Sequence, residues 1–339
     1  MDVVSDAIAA VRIGRPSSNR LRVAGRWSTR LPAYDGAGFH VVLAGGCWLL
    51  PDGGAPVSLG AGDAVLLPHG TGHVMASEPL EPGEAERAVP IDRLLGPGRP
   101  VPPPVGPPTG AAERGGPVAE LLCGKYRLDH SRSHPLMREL PDVVHLPNRV
   151  GGHPHLRAAV ELLGGELVDD GPGAALAVPS LIDLLLVYMV RAWLSREPGA
   201  GAAAPAAAEP PGAADAVSAG GRWPAALADP VVAAALRALH EDPARAWSAD
   251  GLAAASGVSR ATLTRRFTAL VGRPPMAYLA WWRMTRAAAL LRQTDDPLEA
   301  IARRVGYSTP YALSHAFSRL FGTTPGRYRA RGADGAGAD

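Results

Sequence analysis

The chain has two cysteines in 339 residues, Cys47 and Cys123. Cys47 lies in the stretch FHVVLAGGCWLL, residues 39–50, where it and His40 flank a glycine pair. A thiol beside an imidazole can begin a metal site or a redox centre. It can also be plain core, because free cysteine packs as a small apolar residue. A second set of chemistry-bearing residues lies toward the other end. Residues 223–330 carry 14 Arg and no Lys against 7 Asp and Glu, a balance of +7, while the rest of the chain stands at −5. A basic module on a mildly acidic body points to a polyanion partner.

Two cysteines are too few for a disulfide framework, and the opening MDVVSDAIAA lacks a signal-peptide pattern. The expected location is the cytoplasm. The apolar run VPSLIDLLLVYMVRAWL, residues 178–194, is interrupted by Asp183 and carries Arg191 near its end. It falls short of the roughly 20 apolar residues a membrane span needs, so a soluble helix and no membrane partner are expected.

The elements that must hold His40 and Cys47 read as short strands over residues 20–78. FHVVL and CWLL flank Ala44-Gly45-Gly46, a hairpin signal, and CWLL and APVSL flank a second turn at Pro51–Gly54. GDAVLLP and HVMAS follow, and closely spaced strands of this kind suggest an antiparallel sandwich or barrel. Residues 79–117 are rich in Pro and Gly and read as a long loop. VAELLCGKYRLD then resumes strand character and is expected to close the barrel.

Helical patterns begin near residue 153 with PHLRAAVELLGGELV. In the next candidate helix, PSLIDLLLVYMVRAWLSRE, Ser180 is the expected N-cap, with Asp183 three residues on. Leu181, Leu185, Tyr188 and Ala192 form its stripe, suited to packing on the barrel or to a dimer seam. Low-complexity sequence over residues 197–221 marks a linker.

Beyond the linker the sequence repeats itself. LAAASGVSRATLTRRF, residues 252–267, matches IARRVGYSTPYALSHAF, residues 301–317. Leu252 pairs with Ile301, Ala253 with Ala302, Gly257 with Gly306 and Phe267 with Phe317. Each copy has the layout of a helix-turn-helix. The alanine lets two helices cross closely, and the glycine takes the left-handed turn. Ser259 and Thr309 are expected to cap the second helices, and Pro310 suits a first helical position. The exposed faces then carry Arg260, Thr262, Thr264, Arg265 and Arg266 in one copy, and Tyr311, Ser314, His315 and Arg319 in the other. Such a helix can lie in a major groove, with arginines on guanine edges or phosphates.

Residues 230–330 closely resemble the DNA-binding domain of AraC/XylS-family regulators. The resemblance rests on GVSRATLTRRF, PPMAYLAWWRMTRAAALL and IARRVGYSTPYALSHAFSRLFGTTPGRYR. It implies two helix-turn-helix units, joined by a central helix, entering successive major grooves of double-stranded DNA. By position, Ala261, Thr264 and Arg265 match base-facing residues of the first unit, and Tyr311, Ala312, Ser314 and His315 those of the second. His315 stands where the family commonly has Arg, so the first unit is expected to carry more of the base readout.

GDAVLLPHGTGH, Gly62 to His73, fits the second motif of the cupin barrel. In the first motif His40 stands, Val42 replaces a histidine and Cys47 takes the position of a glutamate. The resemblance is to the sensory cupin domains of AraC-like regulators, and it implies that His40, Cys47, His73 and Cys123 converge at the barrel mouth. Two Cys and two His suit a closed zinc site. An oxidant-sensing thiol pair, a pocket for an organic ligand and a plain core stand as the other readings. The lost ligands count against a metal-dependent cupin enzyme.

The expected fold class is α+β multidomain, with an N-terminal antiparallel β-barrel (cupin-like), a helical dimerisation segment and a C-terminal all-α double helix-turn-helix. The boundaries are a cupin-like barrel over 1–150, helices over 151–197, a flexible linker over 198–222, the DNA-binding domain over 223–330 and a tail over 331–339. The expected function is a homodimeric, sequence-specific transcription regulator without enzymatic activity. It would sense a metal, an oxidant or a small molecule, with zinc as the candidate cofactor. If it activates, RNA polymerase is a further partner. The alternatives are a cupin-type enzyme with an appended helical module, and a DNA-binding protein with an inert barrel.

Overall fold

A computed structural model describes residues 2–95, 118–128, 134–148, 152–169, 171–195 and 222–335. The chain divides into two units. One takes Arg12–Ser131 and Leu140–Leu194; the other takes Met1–Val11, Arg132–Glu139 and Ser195–Asp339. The sequence boundary at residue 150 thus meets a more interleaved division, in which two short N-terminal stretches belong with the C-terminal helices.

The first unit is a double-sheet β structure. Its strands are β1 (Arg12–Ala24), β2 (Ser28–Leu31), β3 (Gly36–Ala44), β4 (Gly46–Pro51), β5 (Val57–Gly60), β6 (Ala64–Leu67), β7 (His73–Ala76), β8 (Val89–Pro90), β9 (Val118–Leu128) and β10 (Val144–Leu146). They form two five-stranded sheets, ordered β1-β9-β3-β6-β10 and β5-β4-β7-β2-β8. The two sheets stack as a sandwich, within the expected antiparallel cupin-like class, and among the described residues they do not close into one barrel. β2 and β8 pair in parallel, and the other pairings are antiparallel. Leu21, Val42, Val65 and Leu121 of one sheet meet Cys47, Leu49, Leu59 and Met75 of the other in a shared apolar core.

The expected hairpin at Ala44-Gly45-Gly46 does not form. β3 pairs with β6 and β9, whereas β4 pairs with β5 and β7. Gly45, at φ 73°, turns the chain from one sheet to the other. A Cβ there would lie 2.2 Å from the Val118 carbonyl oxygen, so glycine is required. The second expected turn does join a hairpin, β4–β5. The described part of the expected loop at 79–117 carries short elements: α2 (Pro82–Ala85), β8 and α3 (Ile91–Leu95). Residues 96–117 lie outside the described residues.

Helices α5 (Pro154–Asp169) and α6 (Ala174–Leu194) complete this unit. α6 begins six residues before the expected cap, and Ser180 is no N-cap: its hydroxyl donates to the Leu176 carbonyl at 2.8 Å. Pro179 is carried inside the helix. The buried face is Ile182, Leu185, Leu186, Met189, Val190 and Ala192, while Leu181 and Tyr188 of the expected stripe are half-buried. At 21 residues α6 exceeds the run read from sequence and is long and apolar enough to cross a membrane. In this unit, however, Tyr126 Oη donates to the Ile182 carbonyl at 2.5 Å and Asp183 pairs with Arg12 at 2.6 Å.

The second unit is helical. It contains α1 (Val3–Val11), α4 (Pro135–Arg138), α7 (Arg222–Ala228), α8 (Pro230–Glu241), α9 (Ala249–Ala255), α10 (Arg260–Val271), α11 (Pro275–Gln293), α12 (Leu298–Arg304), α13 (Pro310–Phe321) and α14 (Pro325–Gly335). The central helix α11 buries one face, including Tyr278, Trp282, Ala287 and Leu291. Ile301, Val305, Leu313 and Phe317 pack with Met284, Leu291 and Tyr328 in the second half.

Candidate functional site

Each repeat folds as a helix-turn-helix, α9–α10 and α12–α13. Gly257 and Gly306 take φ of 71° and 81° in the turns. Ser259 accepts from the Thr262 amide at 3.3 Å, and Thr309 from the Ala312 amide at 3.1 Å, so both caps form. Leu263, Phe267, Leu313 and Phe317 are buried. These local choices fix which side chains stay outside.

On α10, Arg260, Ala261, Thr264 and Arg265 are exposed. Thr262 is half-buried, and its hydroxyl takes part in the cap, accepting from Ser259 Oγ at 3.0 Å. Arg266 has a structural partner: it donates to Asp229 at 2.6 Å, while the same carboxylate caps α8 through the Val231 and Val232 amides. On α13, Tyr311 is 81 % exposed and His315 is exposed, while Ala312 and Ser314 are half-buried. The exposed polar side chains are thus Arg260, Thr264 and Arg265 on the first helix, and Tyr311, His315 and Arg319 on the second.

In the β unit, the first strand of the opening stretch brings His40 opposite Cys123 of β9. His40 Nδ1 lies 2.9 Å from Cys123 Sγ, and His40 Nε2 lies 2.8 Å from His73 Nε2. His73 Nδ1 lies 2.9 Å from the Thr71 carbonyl. That carbonyl can only accept, and it assigns every proton in the group. His73 donates through Nδ1, so its Nε2 accepts from His40 Nε2–H. His40 Nδ1 then accepts from the Cys123 thiol.

The electrostatics agree with this neutral arrangement. Burial, then the neighbouring His73, holds His40 well below the usual imidazole range. Burial also lowers His73, against the raising pull of Thr71 and Asp52. Burial, then Cys47, pushes the Cys123 thiol up to about 12. Cys47 is pushed up to about 12 as well, by burial and then Asp63. Both cysteines are free thiols in one apolar cluster.

His40 is therefore within hydrogen-bond reach of both His73 and Cys123, and Cys47 lies in the apolar cluster that Cys123 packs against. The Cys123 thiol addresses one edge of the His40 ring and His73 the other, so they do not share a point. Among the described residues no group of three or more His, Cys, Asp or Glu is arranged to hold a metal ion.

A second polar chain was not legible in the sequence. The Leu136 amide donates to His134 Nδ1 at 3.1 Å, so His134 donates from Nε2 to Tyr278 Oη at 2.9 Å. Tyr278 donates to His240 Nε2 at 2.6 Å, and His240 Nδ1–H donates to Asp6 at 2.9 Å. This buried chain ties α4, α11, α8 and α1 together. The four residues share no spacing that a periodicity reading could detect.

Residues 2–195 match the family model described as Cupin, and residues 252–331 the one described as Helix-turn-helix domain. A protein of Streptomyces antibioticus described as an AraC-like transcription regulator is 34% identical over 97% of this chain and 98% of its own. The transcriptional regulator MtrA of Neisseria gonorrhoeae is 27% identical over 98% of this chain and 99% of its own. The solved DNA-binding domain of AdpA in complex with a target DNA is 34% identical; it covers 30% of this chain and 92% of its own, with a TM-score of 0.29. With a cupin domain followed by a double helix-turn-helix, and with similarity running along nearly its full length, the chain belongs to the AraC-like DNA-binding transcription regulators.

Proposed function

We propose that this regulator senses through its cupin unit, with Cys123 as the responsive group and an oxidant as the signal. The observation that carries the reading is the one-way chain from Cys123 through His40 and His73 to the Thr71 carbonyl. A half-buried thiol raised to about 12 reacts slowly on its own, because the thiolate is the nucleophile. A base in hydrogen-bond contact supplies the missing step. Overall, with hypochlorous acid as the oxidant, Cys123 Sγ gains the oxygen as a sulfenic acid, the O–Cl bond breaks and chloride leaves. The thiol proton passes to His40 Nδ1, and His40 stays bonded to His73. The cation left in this apolar site favours a second state of the unit, and a shift in population follows from that difference alone.

The regulator works as a homodimer in this reading, joined through its β unit. Leu162 on α5 and Leu176 and Leu184 on α6 are exposed and offer apolar surface for a second copy. The regulator works in the cytoplasm, has no enzymatic activity, and contacts RNA polymerase where it activates. Val42 and Cys47 occupy positions where a cupin oxygenase needs histidine and carboxylate, which supports the non-enzymatic reading.

A gel-shift series on DNA upstream of the protein's own locus, repeated across salt concentrations and with hypochlorite added, tests this. The expected result is sequence preference, a steep salt slope, and oxidant-dependent affinity that Cys123→Ser abolishes. A flat salt slope without sequence preference would sink the DNA reading. An unchanged oxidant response in Cys123→Ser would sink the sensing reading.

A further inference from the structure

The β unit holds a half-enclosed cleft of about 480 Å³, away from the thiol–histidine group. Side chains alternate along a strand. Leu21 and Leu121 point into the core between the sheets, so Arg20 and Glu120 stand on the outer face. There they form one wall of the cleft, and α5 forms the other. The volume lies in the range of small-molecule sites.

The lining has two characters. Leu146, Pro147, Leu156 and Val160 give it an apolar side. The charged groups compensate one another: Arg20 binds Glu120 at 2.5 Å, and Arg157, held to Asn148 at 2.9 Å, sits one helical turn from Glu161. A net-charged ligand would meet attraction and repulsion together.

Two helix glycines sharpen the reading. Gly164 and Gly165 lie inside α5, where glycine weakens a helix relative to almost any other residue. A Cβ at either would meet no heavy atom within 4 Å, so neither is needed for close packing. Gly164 lines the cleft, and its carbonyl accepts from Arg20 at 3.3 Å. His153 closes the cleft at the start of α5. It takes φ 49°, which makes it the one non-glycine residue with positive φ among those described. A side chain is costly in that conformation.

We propose that this cleft binds an uncharged small organic molecule with an apolar body and at least one hydrogen-bonding group, as an effector site distinct from Cys123. The site does not depend on the thiol reading.

The test uses the full chain with indole as the probe, followed by saturation-transfer NMR and calorimetry. Saturable binding is expected in the native chain. Gly164→Leu places a side chain in the cleft and is expected to weaken binding at least tenfold while raising the melting temperature. Gly165→Leu, next to it but outside the lining, is expected to raise the melting temperature with binding unchanged. Indole-3-carboxylate, which adds a charge, is expected to bind at least tenfold more weakly than indole. The proposal is overturned if the native chain shows no saturable binding or if Gly164→Leu binds as the native chain does. Equal losses in both leucine variants overturn it too. Equal or tighter binding of the carboxylate overturns the assignment of an uncharged ligand.

Discussion

His240 and Asp6 are 234 residues apart in the chain and 2.9 Å apart in space, both almost fully buried. Burial holds His240 below the usual imidazole range, although Asp6 pulls the other way. Burial, and then His240, holds His134 well below it. Both rings are therefore neutral when folded, and they gain protons on unfolding below about pH 6.5. Their contribution is complete above that value and is lost as pH falls toward the folded pKa. The melting temperature followed by tryptophan fluorescence is expected to drop between about pH 7.5 and about pH 5.5, less steeply in His240→Gln. Asp6→Ala is expected to cost about 1.5–3 kcal/mol at neutral pH. An Asp6→Ala chain as stable as the native one would remove the chain's structural role.

Two neighbouring arginines on α10 are expected to part in their effects. Arg265 is exposed, whereas Arg266 is bound to Asp229. Arg265→Ala is expected to cost about 1–3 kcal/mol of operator binding and to relax one base preference. Arg266→Ala removes a half-exposed ion pair, so its stability cost is about 1 kcal/mol at most. Binding titrations against the operator and base-substituted operators check this. The assignment fails if Arg266→Ala alone alters base preference.

The paired turn glycines give a stability contrast. Gly257 has open space where a Cβ would go, whereas at Gly306 a Cβ would meet Ala244 Cα at 2.8 Å. Gly257→Ala is expected to cost about 1–2 kcal/mol, from the left-handed backbone alone. Gly306→Ala adds overpacking and is expected to cost about 2–5 kcal/mol. Urea unfolding of the two variants measures the difference; equal costs would show that the second turn yields freely.

Metal content separates the thiol reading from the zinc expectation. Protein purified without chelators is expected to carry well under one zinc per chain by elemental analysis, because thiol and imidazole occupy opposite edges of His40. Roughly one zinc per chain, lost in Cys47→Ser and Cys123→Ser, would restore the closed site of two Cys and two His.

What could be read from the sequence was local. The caps Ser259 and Thr309, the glycines 257 and 306 and the inward Leu–Phe pairs each act within a few residues, and all took their expected places. The strand pairing of β3 and β4 was misread because pairing depends on β9 and β7, far along the chain. Ser180 was misread because a helix started by Ala174–Ala177 carries Pro179 through, at the loss of one amide donor. His40 and His73 were legible through a motif. The tautomers that connect them to Cys123 were not, because a backbone carbonyl at Thr71 assigns them.

The helical unit is assembled from three separate stretches, Met1–Val11, Arg132–Glu139 and Ser195–Asp339. The polypeptide therefore passes from one unit to the other four times, after residues 11, 131, 139 and 194. A cut between residues 195 and 222 falls beyond the last of these passages and leaves the other two stretches of the helical unit with the β unit's chain. The DNA-binding module is thus no interchangeable cassette: grafting residues 222–335 onto another sensor would leave behind Asp6 and His134, two of the four side chains in its own buried polar chain.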